Sequence, residues 1–399
     1  MGARRVSIRS QESARILAYL RPDGTAGVRN YVAVLPTVAC ANDVAERIAI
    51  GIPSTKALLH HQGCGQLLSD LHIVERTLIG LATNGNVGAV VLVSLGCEGV
   101  NVDRISGAIE KSGRRLARVN IQELGSSPRA IKQGRKACLD LAADCRRRRR
   151  REAGLNRLVV GIKCGASDTT SGLASNPAVG QMVDTLVAHG GTVIVGETTE
   201  FLGAEHLLIR RAANRKVARA IGQITMAMQR RALAAGGDML GGQPSHGNIQ
   251  GGITTIEEKS LGAVSKAGAG TIHGVLEYAE RPPHPGLFIM DGPGFEPQAL
   301  TGLVAAGAQV LVFSTGRGAP QGFPLAPVVK VSGNAATCLH LRDHIDVDVS
   351  DVLTRGQDLT TAGRRVLRAV LGAANGRSSR AERAGYDHLV DIYTRGPFV

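Results

Sequence analysis

Tryptophan is absent from this 399-residue sequence, and the other aromatic residues are few, with five tyrosines and six phenylalanines. Proteins that bind single-stranded nucleic acid stack bases on aromatic side chains, so this scarcity argues against a nucleic acid partner. The net charge of +14 does not reverse that argument, because six of the arginines form one run, Arg146–Arg151, which suits a solvated helix end. A basic, glycine-rich chain suits a small anionic ligand at least as well, since Lys, Arg and exposed backbone N–H groups bind carboxylate and phosphate.

Long hydrophobic runs are also missing. No window approaches the 18 or more consecutive apolar residues of a transmembrane helix, and the basic N-terminal segment lacks the apolar stretch of a signal peptide. The seven cysteines are odd in number and scattered, unlike a secreted disulfide framework. We therefore expect a cytoplasmic protein without a membrane partner, whose cysteines are thiols or metal ligands.

The composition otherwise indicates a globular protein. Apolar residues make up 43% of the chain and charged residues 20%, which excludes disorder for most of it. A prior of roughly 150 residues per domain predicts two or three domains. Glycine supplies 51 residues without a collagen-like period, which indicates many turns and tight loops.

Short apolar runs alternate with stretches of helical spacing. The runs show continuous hydrophobicity, which is typical of parallel strands covered on both faces. The predicted strands are Tyr31–Leu35, Ala57–Leu59, Ala89–Leu95, Leu116–Ile121, Leu158–Ile162, Thr192–Val195, Leu287–Met290, Val310–Phe313 and Val328–Val331. The predicted helical stretches are Gln66–Ala82, Pro128–Arg151, Pro177–Ala188 and Ala204–Ala235. This alternation predicts an α/β fold of two Rossmann-like parallel-sheet domains, 1–152 and 153–399, with the junction placed just after the arginine run.

Three cysteines directly follow predicted strands, namely Cys64, Cys97 and Cys164. Ligands of open α/β sheets bind outside the carboxyl ends of the strands, so we expect the three thiols to converge on one crevice. His60 and His61 precede Cys64, and a strand would point only one of them, taken as His61, into that crevice. These side chains form a candidate metal set for zinc or iron, although buried cysteines also pack as small hydrophobic residues.

A polar segment follows Cys164. Asn176 and Pro177 suit the start of a helix, and free N–H groups there, with Ser167, Thr169 and the carboxylate of Asp168, would form a cradle for a polyhydroxy acid. A capped helix with a polar turn explains the same residues without a ligand.

The segment Gly236–Gly252 has seven glycines in seventeen residues. We predict that it is too broken for a helix and forms a mobile lid that carries Asn248. After it, Thr254 or the next threonine has a glutamate three residues later, which is a capping-box pattern. Lys259 in that helix is a candidate for binding a carboxylate or for acting as a base.

Arg317 lies four residues beyond the end of the predicted strand Val310–Phe313, in the sequence Thr-Gly-Arg-Gly. Arg at such a strand end can bind a carboxylate with two parallel hydrogen bonds. A plain surface turn explains the same residues equally well.

Taken together, these motifs resemble the altronate/galactarate dehydratase family over the chain from about residue 20 to near its end. The motifs that carry the resemblance are Gly27-Val-Arg-Asn30, Leu35-Pro36-Thr37-Val-Ala-Cys40-Ala-Asn42, Gly63-Cys64-Gly65, Leu95-Gly96-Cys97-Glu98, Cys164-Gly-Ala-Ser167-Asp168, Asn176-Pro177, Gly203-Ala204-Glu205, Gly247-Asn248, Glu258-Lys259-Ser260-Leu-Gly262 and Thr315-Gly316-Arg317-Gly318. The sequence departs from the family pattern at Ala166, where glycine is usual, and at Ile249 and Gln250.

The resemblance implies dehydration of a sugar acid such as altronate or galactarate to a 2-keto-3-deoxy acid, with iron(II) or a similar divalent metal. The family also includes sulfolactate sulfo-lyase, which eliminates sulfite. Many members carry a small SAF-type domain ahead of the region that this chain resembles. Either a separate small subunit supplies it, as in the two-subunit sulfo-lyase, or the protein works without it. We expect the separate small subunit and a homo-oligomer. β-Elimination needs a base, for which Lys259, Asp168 and Glu98 are candidates, and an electrophile for the developing enediolate.

Two other interpretations stay open at this point. Three strand-end cysteines could hold an iron–sulfur cluster in place of a single divalent ion. Alternatively, the chain could be a non-catalytic sugar-acid-binding subunit that needs a partner for chemistry.

Overall fold

The structure, a computed structural model, describes residues 15–237 and 243–398. The strands are β1 (Arg15–Leu20), β2 (Ala26–Gly27), β3 (Tyr31–Pro36), β4 (Thr55–Ala57), β5 (Val87–Ser94), β6 (Arg115–Asn120), β7 (Arg151–Gly154), β8 (Val159–Gly165), β9 (Thr192–Val195), β10 (Ile272–Leu276), β11 (Gly286–Met290), β12 (Val310–Thr315), β13 (Val328–Ser332) and β14 (Val347–Asp348). The α-helices are α1 (Asn42–Ala49), α2 (Leu68–Ala82), α3 (Val102–Lys111), α4 (Ile121–Leu124), α5 (Ser127–Arg147), α6 (Asn176–Ala188), α7 (Glu205–Ile209), α8 (Arg215–Ala234), α9 (His246–Gln250), α10 (Ile256–Val264), α11 (Glu296–Ala305), α12 (Ala335–His340), α13 (Asp351–Thr354), α14 (Leu359–Ala374) and α15 (Arg380–Ala384).

Two parallel sheets organise the chain. The first has four strands in the order β4-β3-β5-β6, and the second has seven in the order β10-β11-β9-β8-β12-β13-β14. Strands such as β5 and β12 are buried along their whole length, as continuous apolar runs require. The predicted α/β fold with parallel sheets is therefore confirmed. Each predicted strand overlaps an observed one, although Ala57–Leu59 shares only Ala57 with β4.

The sequence reading differs from the structure at several elements. The predicted helix Ala204–Ala235 is divided into α7 and α8, because the side chain of Asn214 caps a new helix start. The helix predicted to reach Arg151 ends at Arg147, and Arg151 begins β7. A third, antiparallel sheet in the order β2-β1-β7 was not predicted.

The two parallel sheets share apolar packing. One buried cluster combines residues of both, including Leu35 and Leu92 of the first sheet with Phe288 and Leu311 of the second. Helices α2 and α11 touch closely, since a Cβ on Gly80 would overlap the carbonyl oxygen of Ala305. The division into domains 1–152 and 153–399 stays a prediction.

The part of the chain that the structure describes contains no helix with both the length and the apolar character needed to cross a bilayer.

Candidate functional site

A buried cluster of charged side chains lies at the carboxyl ends of β8 and β9. Lys163 and Cys164 are near the end of β8, and Glu197 comes two residues after β9. Because β8 and β9 are adjacent and parallel, their ends meet at one edge of the sheet. Glu200, from the short helix after β9, and Lys266, just after α10, complete this set, which we call the buried ion cluster.

The contacts within the buried ion cluster are short. The Nζ atom of Lys266 lies 2.5 Å from Glu197 Oε2, 2.9 Å from Glu200 Oε2 and 2.9 Å from Cys164 Sγ. The Cys164 thiol donates to Glu200 over 2.7 Å, and the Cys164 backbone N–H donates to Glu197 over 2.8 Å. Lys163 Nζ donates to Glu197 Oε1 over 2.6 Å. Each buried charge thus has an opposite partner, which such burial requires.

Burial and these charges set the pKa values in the cluster. Burial, followed by the neighbouring Glu200 carboxylate, raises the pKa of the Cys164 thiol, so the sulfur is held protonated. Burial alone would raise the pKa of Glu200, but the ammonium groups of Lys266 and Lys259 outweigh it and lower the pKa. Burial would lower the pKa of Lys266, but its partners raise that pKa well above its usual value.

The donor atoms of Cys164, Glu197 and Glu200 lie within 4.8 Å of one another, so this group could bind a metal ion. The position between them is taken by the ammonium of Lys266, which is hydrogen-bonded to all three. A divalent ion would fit only if Lys266 moved away or lost its proton, because two cations cannot share that space. The group therefore does not fit a divalent ion while Lys266 occupies it.

Glu197 has a backbone φ of +74°, the left-handed region that costs a non-glycine residue on the order of 1–2 kcal/mol. Its carboxylate pairs with both lysines of the cluster. These contacts hold the strained conformation, as is common at functional sites.

A cavity of about 540 Å³ opens beside the cluster, between the turn after β8 and the start of α10. Several of the predicted site residues line it, namely Ser167, Asp168, Thr169, Asn176 and Lys259. Lys259 connects the cavity with the buried ion cluster, since its Nζ lies 3.5 Å from Glu200 Oε1. The same Nζ donates to Asn248 Oδ1 over 3.2 Å and to the side-chain oxygen of Gln243.

Asp168 forms the turn that shapes this cavity. Its Oδ1 accepts hydrogen bonds from the Thr170 hydroxyl at 2.6 Å and the Ser171 N–H at 3.0 Å, and its Oδ2 accepts one from Asn334 at 2.7 Å. These donors occupy both carboxylate oxygens, so the contacts favour a structural role for Asp168 over the predicted role of base.

The side chain of Asn176 has one polar atom without a hydrogen-bond partner among the described residues. Its side-chain N–H donates to the carbonyl oxygen of Gly262 over 3.0 Å, whereas its Oδ1 has no hydrogen-bond partner among the described residues, although it is buried. A buried acceptor without a donor is unfavourable.

The other predicted substrate-binding residues, Asn248, Arg317 and Thr254, form hydrogen bonds with neighbouring segments of the chain. Asn248 donates to the Ser167 carbonyl oxygen over 2.9 Å, which fixes its Oδ1 toward Lys259. Arg317 donates to the Gly247 carbonyl oxygen, and Thr254 donates to the capping carboxylate of Glu258. None of Asn248, Arg317 and Thr254 is among the residues that line this cavity.

The segment Gly236–Gly252 departs from its prediction in part. Residues 238–242 lie outside the described residues, and His246–Gln250 forms α9. The helix forms despite its glycine because Ser245 and Asn248 make both hydrogen bonds of a capping box. Its function as a mobile lid stays a prediction.

The four predicted metal ligands are not brought together. Cys164 is buried in the second sheet, whereas Cys64 and Cys97 are exposed and lie in loops of the first sheet. His61 faces the C-terminal segment, with its Nε2 3.4 Å from Asp391 Oδ1. The strands that precede these cysteines belong to two different sheets, and the four residues do not appear as a group with ligand atoms within 4.8 Å of one another among the described residues.

Glu98 also lies apart from Lys259. It lines a second cavity of about 600 Å³ at the ends of β5 and β6. Its carboxylate accepts hydrogen bonds from the Thr37 hydroxyl at 2.5 Å and the Gly96 N–H at 2.6 Å. Burial would raise the pKa of Glu98, but these hydrogen bonds outweigh it and lower the pKa.

Sequence reasoning missed Glu197, Glu200 and Lys266. A signal for the two glutamates was present, since the stretch Gly-Glu-Thr-Thr-Glu directly follows the predicted strand Thr192–Val195. The argument used for the strand-end cysteines applies equally to these carboxylates. Lys266 has no such signal, because it follows a helix.

Two family models match the chain. The model described as D-galactarate dehydratase/Altronate hydrolase, second domain, matches residues 18–146. The model described as D-galactarate/Altronate dehydratase, C-terminal, matches residues 155–396. These matches confirm the resemblance seen in the motifs.

Curated relatives agree with the family models. The chain is 39% identical to the (2R)-sulfolactate sulfo-lyase subunit beta of Chromohalobacter salexigens, covering 94% of this chain and 96% of that protein. It is 32% identical to the altronate dehydratase of Escherichia coli, over 93% of this chain and 76% of that protein. It is 30% identical to the galactarate dehydratase (L-threo-forming) of Escherichia coli, over 81% of this chain and 63% of that protein.

Proposed function

Since the chain belongs to the D-galactarate/altronate dehydratase family, we propose that it is a lyase that acts by β-elimination on a small 2-hydroxy acid. The observation that carries the proposal is the position of Lys259, which lines a cavity that also contains hydroxyl and amide groups and whose amino group lies 3.5 Å from Glu200 Oε1. A cavity of about 540 Å³ is within the size range of small-molecule sites.

Lys259 is the proposed base. The ammonium of Lys259 first releases a proton to solvent, and the neutral amine then takes the proton from C2 of the acid. The bond between C3 and the leaving group breaks, and a departing hydroxide takes a solvent proton to become water. The resulting enol takes a solvent proton at C3 to become a 2-keto acid. The ammonium formed on Lys259 is stabilised by Glu200, 3.5 Å away, and by Asn248 Oδ1. Glu200 and Asn248 are therefore positioning residues in this account.

Hydroxyl groups of the substrate have partners in the same cavity. Asn176 Oδ1 is a buried acceptor without a donor among the described residues. Ser167 and Thr169 line the cavity near it, and Glu257 and Glu258 line it at the start of α10. Such a wall suits a polyhydroxy acid, because each hydroxyl can both donate and accept.

The first candidate reaction is dehydration of a sugar acid such as altronate or galactarate, with water as the leaving group. A second candidate is elimination of sulfite from sulfolactate, which is favoured by the 39% identity to a sulfo-lyase subunit along nearly its whole length. The two reactions share the loss of the C2 proton and differ in the group that leaves C3.

That relative is named as one subunit of its enzyme, which supports a multi-subunit assembly. We propose that a small SAF-type subunit completes the site of this chain, because elimination needs a site closed to water. The purified chain should then show little turnover until the partner is added. Full activity of the chain alone, with metal and substrate, would contradict the need for a partner.

A substrate panel tests the proposed function. Altronate, galactarate and sulfolactate are incubated anaerobically with the full chain and iron(II), with and without a small SAF-type subunit, and 2-keto acid and sulfite are measured. We expect 2-keto acid from at least one acid, and sulfite only from sulfolactate. Binding without turnover under all conditions would instead support a non-catalytic, acid-binding chain.

A further inference from the structure

Three exposed cysteines follow three neighbouring strands of the first sheet. Cys40 comes after β3, Cys64 after β4 and Cys97 after β5. The strands lie side by side in the order β4-β3-β5, and both pairs are parallel. All three strands therefore end at the same edge, and each carries a solvent-accessible thiol just beyond it.

The three cysteine loops are hydrogen-bonded to one another. The N–H of Ala39 donates to the carbonyl oxygen of Gln62, and the N–H of Gly99 donates to that of Gly63, both over 2.9 Å. Gly63 has φ +113°, and a Cβ there would overlap the carbonyl oxygen of Thr37. Glycine is thus needed for the loops to approach so closely, and the loops form one backbone-linked unit.

The thiolates of Cys40, Cys64 and Cys97 would favour particular metals. Thiolates are soft ligands that select iron–sulfur clusters, zinc or copper(I). Cys40, Cys64 and Cys97 do not form a group whose ligand atoms all lie within 4.8 Å of one another among the described residues, which is the spacing that a single ion requires. A cluster spans wider gaps, because several irons and bridging sulfides lie between the protein sulfurs.

The other cysteines have different environments. Cys138 and Cys145 are buried residues of α5. Cys164 belongs to the buried ion cluster, and Cys338 contacts the Ser332 carbonyl oxygen. None of these four is exposed. Only three of the seven cysteines are therefore exposed, whereas a cluster ligated by cysteine alone needs four.

We propose that Cys40, Cys64 and Cys97 are the thiolate ligands of one iron–sulfur cluster, in which one iron has no cysteine ligand. Each thiol loses its proton to solvent when it binds iron. The strand-end positions in the sequence group Cys64 and Cys97 with Cys164, whereas in this proposal Cys40 replaces Cys164 as the third ligand. The inference concerns iron binding alone, and it does not depend on Lys259 or on which acid is turned over.

The test measures iron and acid-labile sulfide on the full chain, purified anaerobically and reconstituted with iron(II) and sulfide. The wild type should carry both, together with broad visible absorption. The single variants Cys40→Ser, Cys64→Ser and Cys97→Ser should each lose most of the sulfide and the visible absorption. Because the three side chains are exposed, far-UV circular dichroism should show an unchanged fold.

Two matched controls separate this site from adventitious binding. Cys338→Ser and Cys164→Ser should keep the iron and sulfide content of the wild type. Iron without labile sulfide in the wild type would overturn the cluster. Full sulfide content in Cys40→Ser, or its loss in a folded Cys164→Ser variant, would overturn the assignment of the ligands. None of these readouts uses enzymatic activity, so the proposed elimination can fail while the cluster stands.

Discussion

The Nζ atom of Lys266 lies 2.9 Å from the Sγ atom of Cys164, and both side chains are buried. The same ammonium is bonded to Glu197 and Glu200, so a lysine fills the space between three donors that a metal could bind. The internal cation fixes the position of Glu200, and Glu200 in turn contacts Lys259 at the cavity. The buried ion cluster therefore positions Lys259, the proposed base, through Glu200.

Replacement of Lys266 by methionine should strongly destabilise the fold. Two buried carboxylates would lose their shared partner, and breaking a buried pair in this way costs about 3–5 kcal/mol. Thermal and denaturant unfolding measure the loss, and Lys111→Met, at an exposed helix end, is the matched control. Equal stability of the Lys266 variant and the wild type would show that Lys266 is not the counter-ion.

Replacement of Lys259 tests whether this residue acts as a base or only as a positive charge that binds the acid. Lys259→Arg keeps the charge but cannot give up a proton, so we expect turnover to fall by at least about 10²-fold. Lys259→Met should lose as much turnover. Steady-state kinetics on the substrate found in the panel measure both variants. Turnover within about tenfold of the wild type in Lys259→Arg would identify Lys259 as a charge that binds the acid.

Gly316 lies against Asp168, and a Cβ on Gly316 would overlap the Asp168 carboxylate. Gly316→Ala should therefore displace the turn that lines the cavity and reduce both stability and activity, by about 1–3 kcal/mol for stability. The control is Gly107→Ala in α3, where an added Cβ has no atom within 4 Å. That control should be neutral or should stabilise by up to about 1 kcal/mol. A similar effect of both changes would contradict the close contact.

His60 should make stability depend on pH. It is buried, its Nε2 donates to the Pro36 carbonyl oxygen and its Nδ1 accepts from the Gln62 N–H, so the neutral ring is the bonded form. Burial lowers the pKa of His60 from 6.5 to about 4. Between these values the unfolded chain binds the proton and the folded chain does not, so stability falls as the pH falls from 6.5 to about 4.

The loss amounts to at most about 3 kcal/mol. In His60→Gln this part of the pH dependence should disappear, so the stability difference between variant and wild type should shrink as the pH falls. Above pH 7 the difference should be constant. Urea unfolding at a series of pH values measures it, and a constant difference down to pH 4 would contradict a buried neutral ring.

The parallel strands were predictable because burial on both faces gives continuous apolar runs, as in Val87–Ser94. Strand β1 was missed because its residues alternate between exposed and buried, and its partner β7 is short and charged. Strand β10 was missed because His273 and Gly274 interrupt its apolar run, where the pairing with β11 is irregular.

The site was predictable in part, because polar side chains at strand ends can be read from the sequence. Ser167, Asp168, Asn176 and Lys259 do line one cavity. The sequence does not state which strands share a sheet, and so Cys164 was grouped with cysteines of the other sheet. Ala166, which stands where glycine is usual in the family, has φ +47°, and this explains that preference in physical terms.

The most direct test of the proposed elimination is proton nuclear magnetic resonance of the reaction in deuterated water, with the active acid from the panel. Loss of the C2 proton followed by protonation of the enol from solvent predicts a 2-keto acid that carries one deuterium at C3. In Lys259→Arg this signal should be absent at wild-type reaction times. A product that retains the original C2 proton, or that carries no deuterium at C3, would contradict β-elimination by this protein.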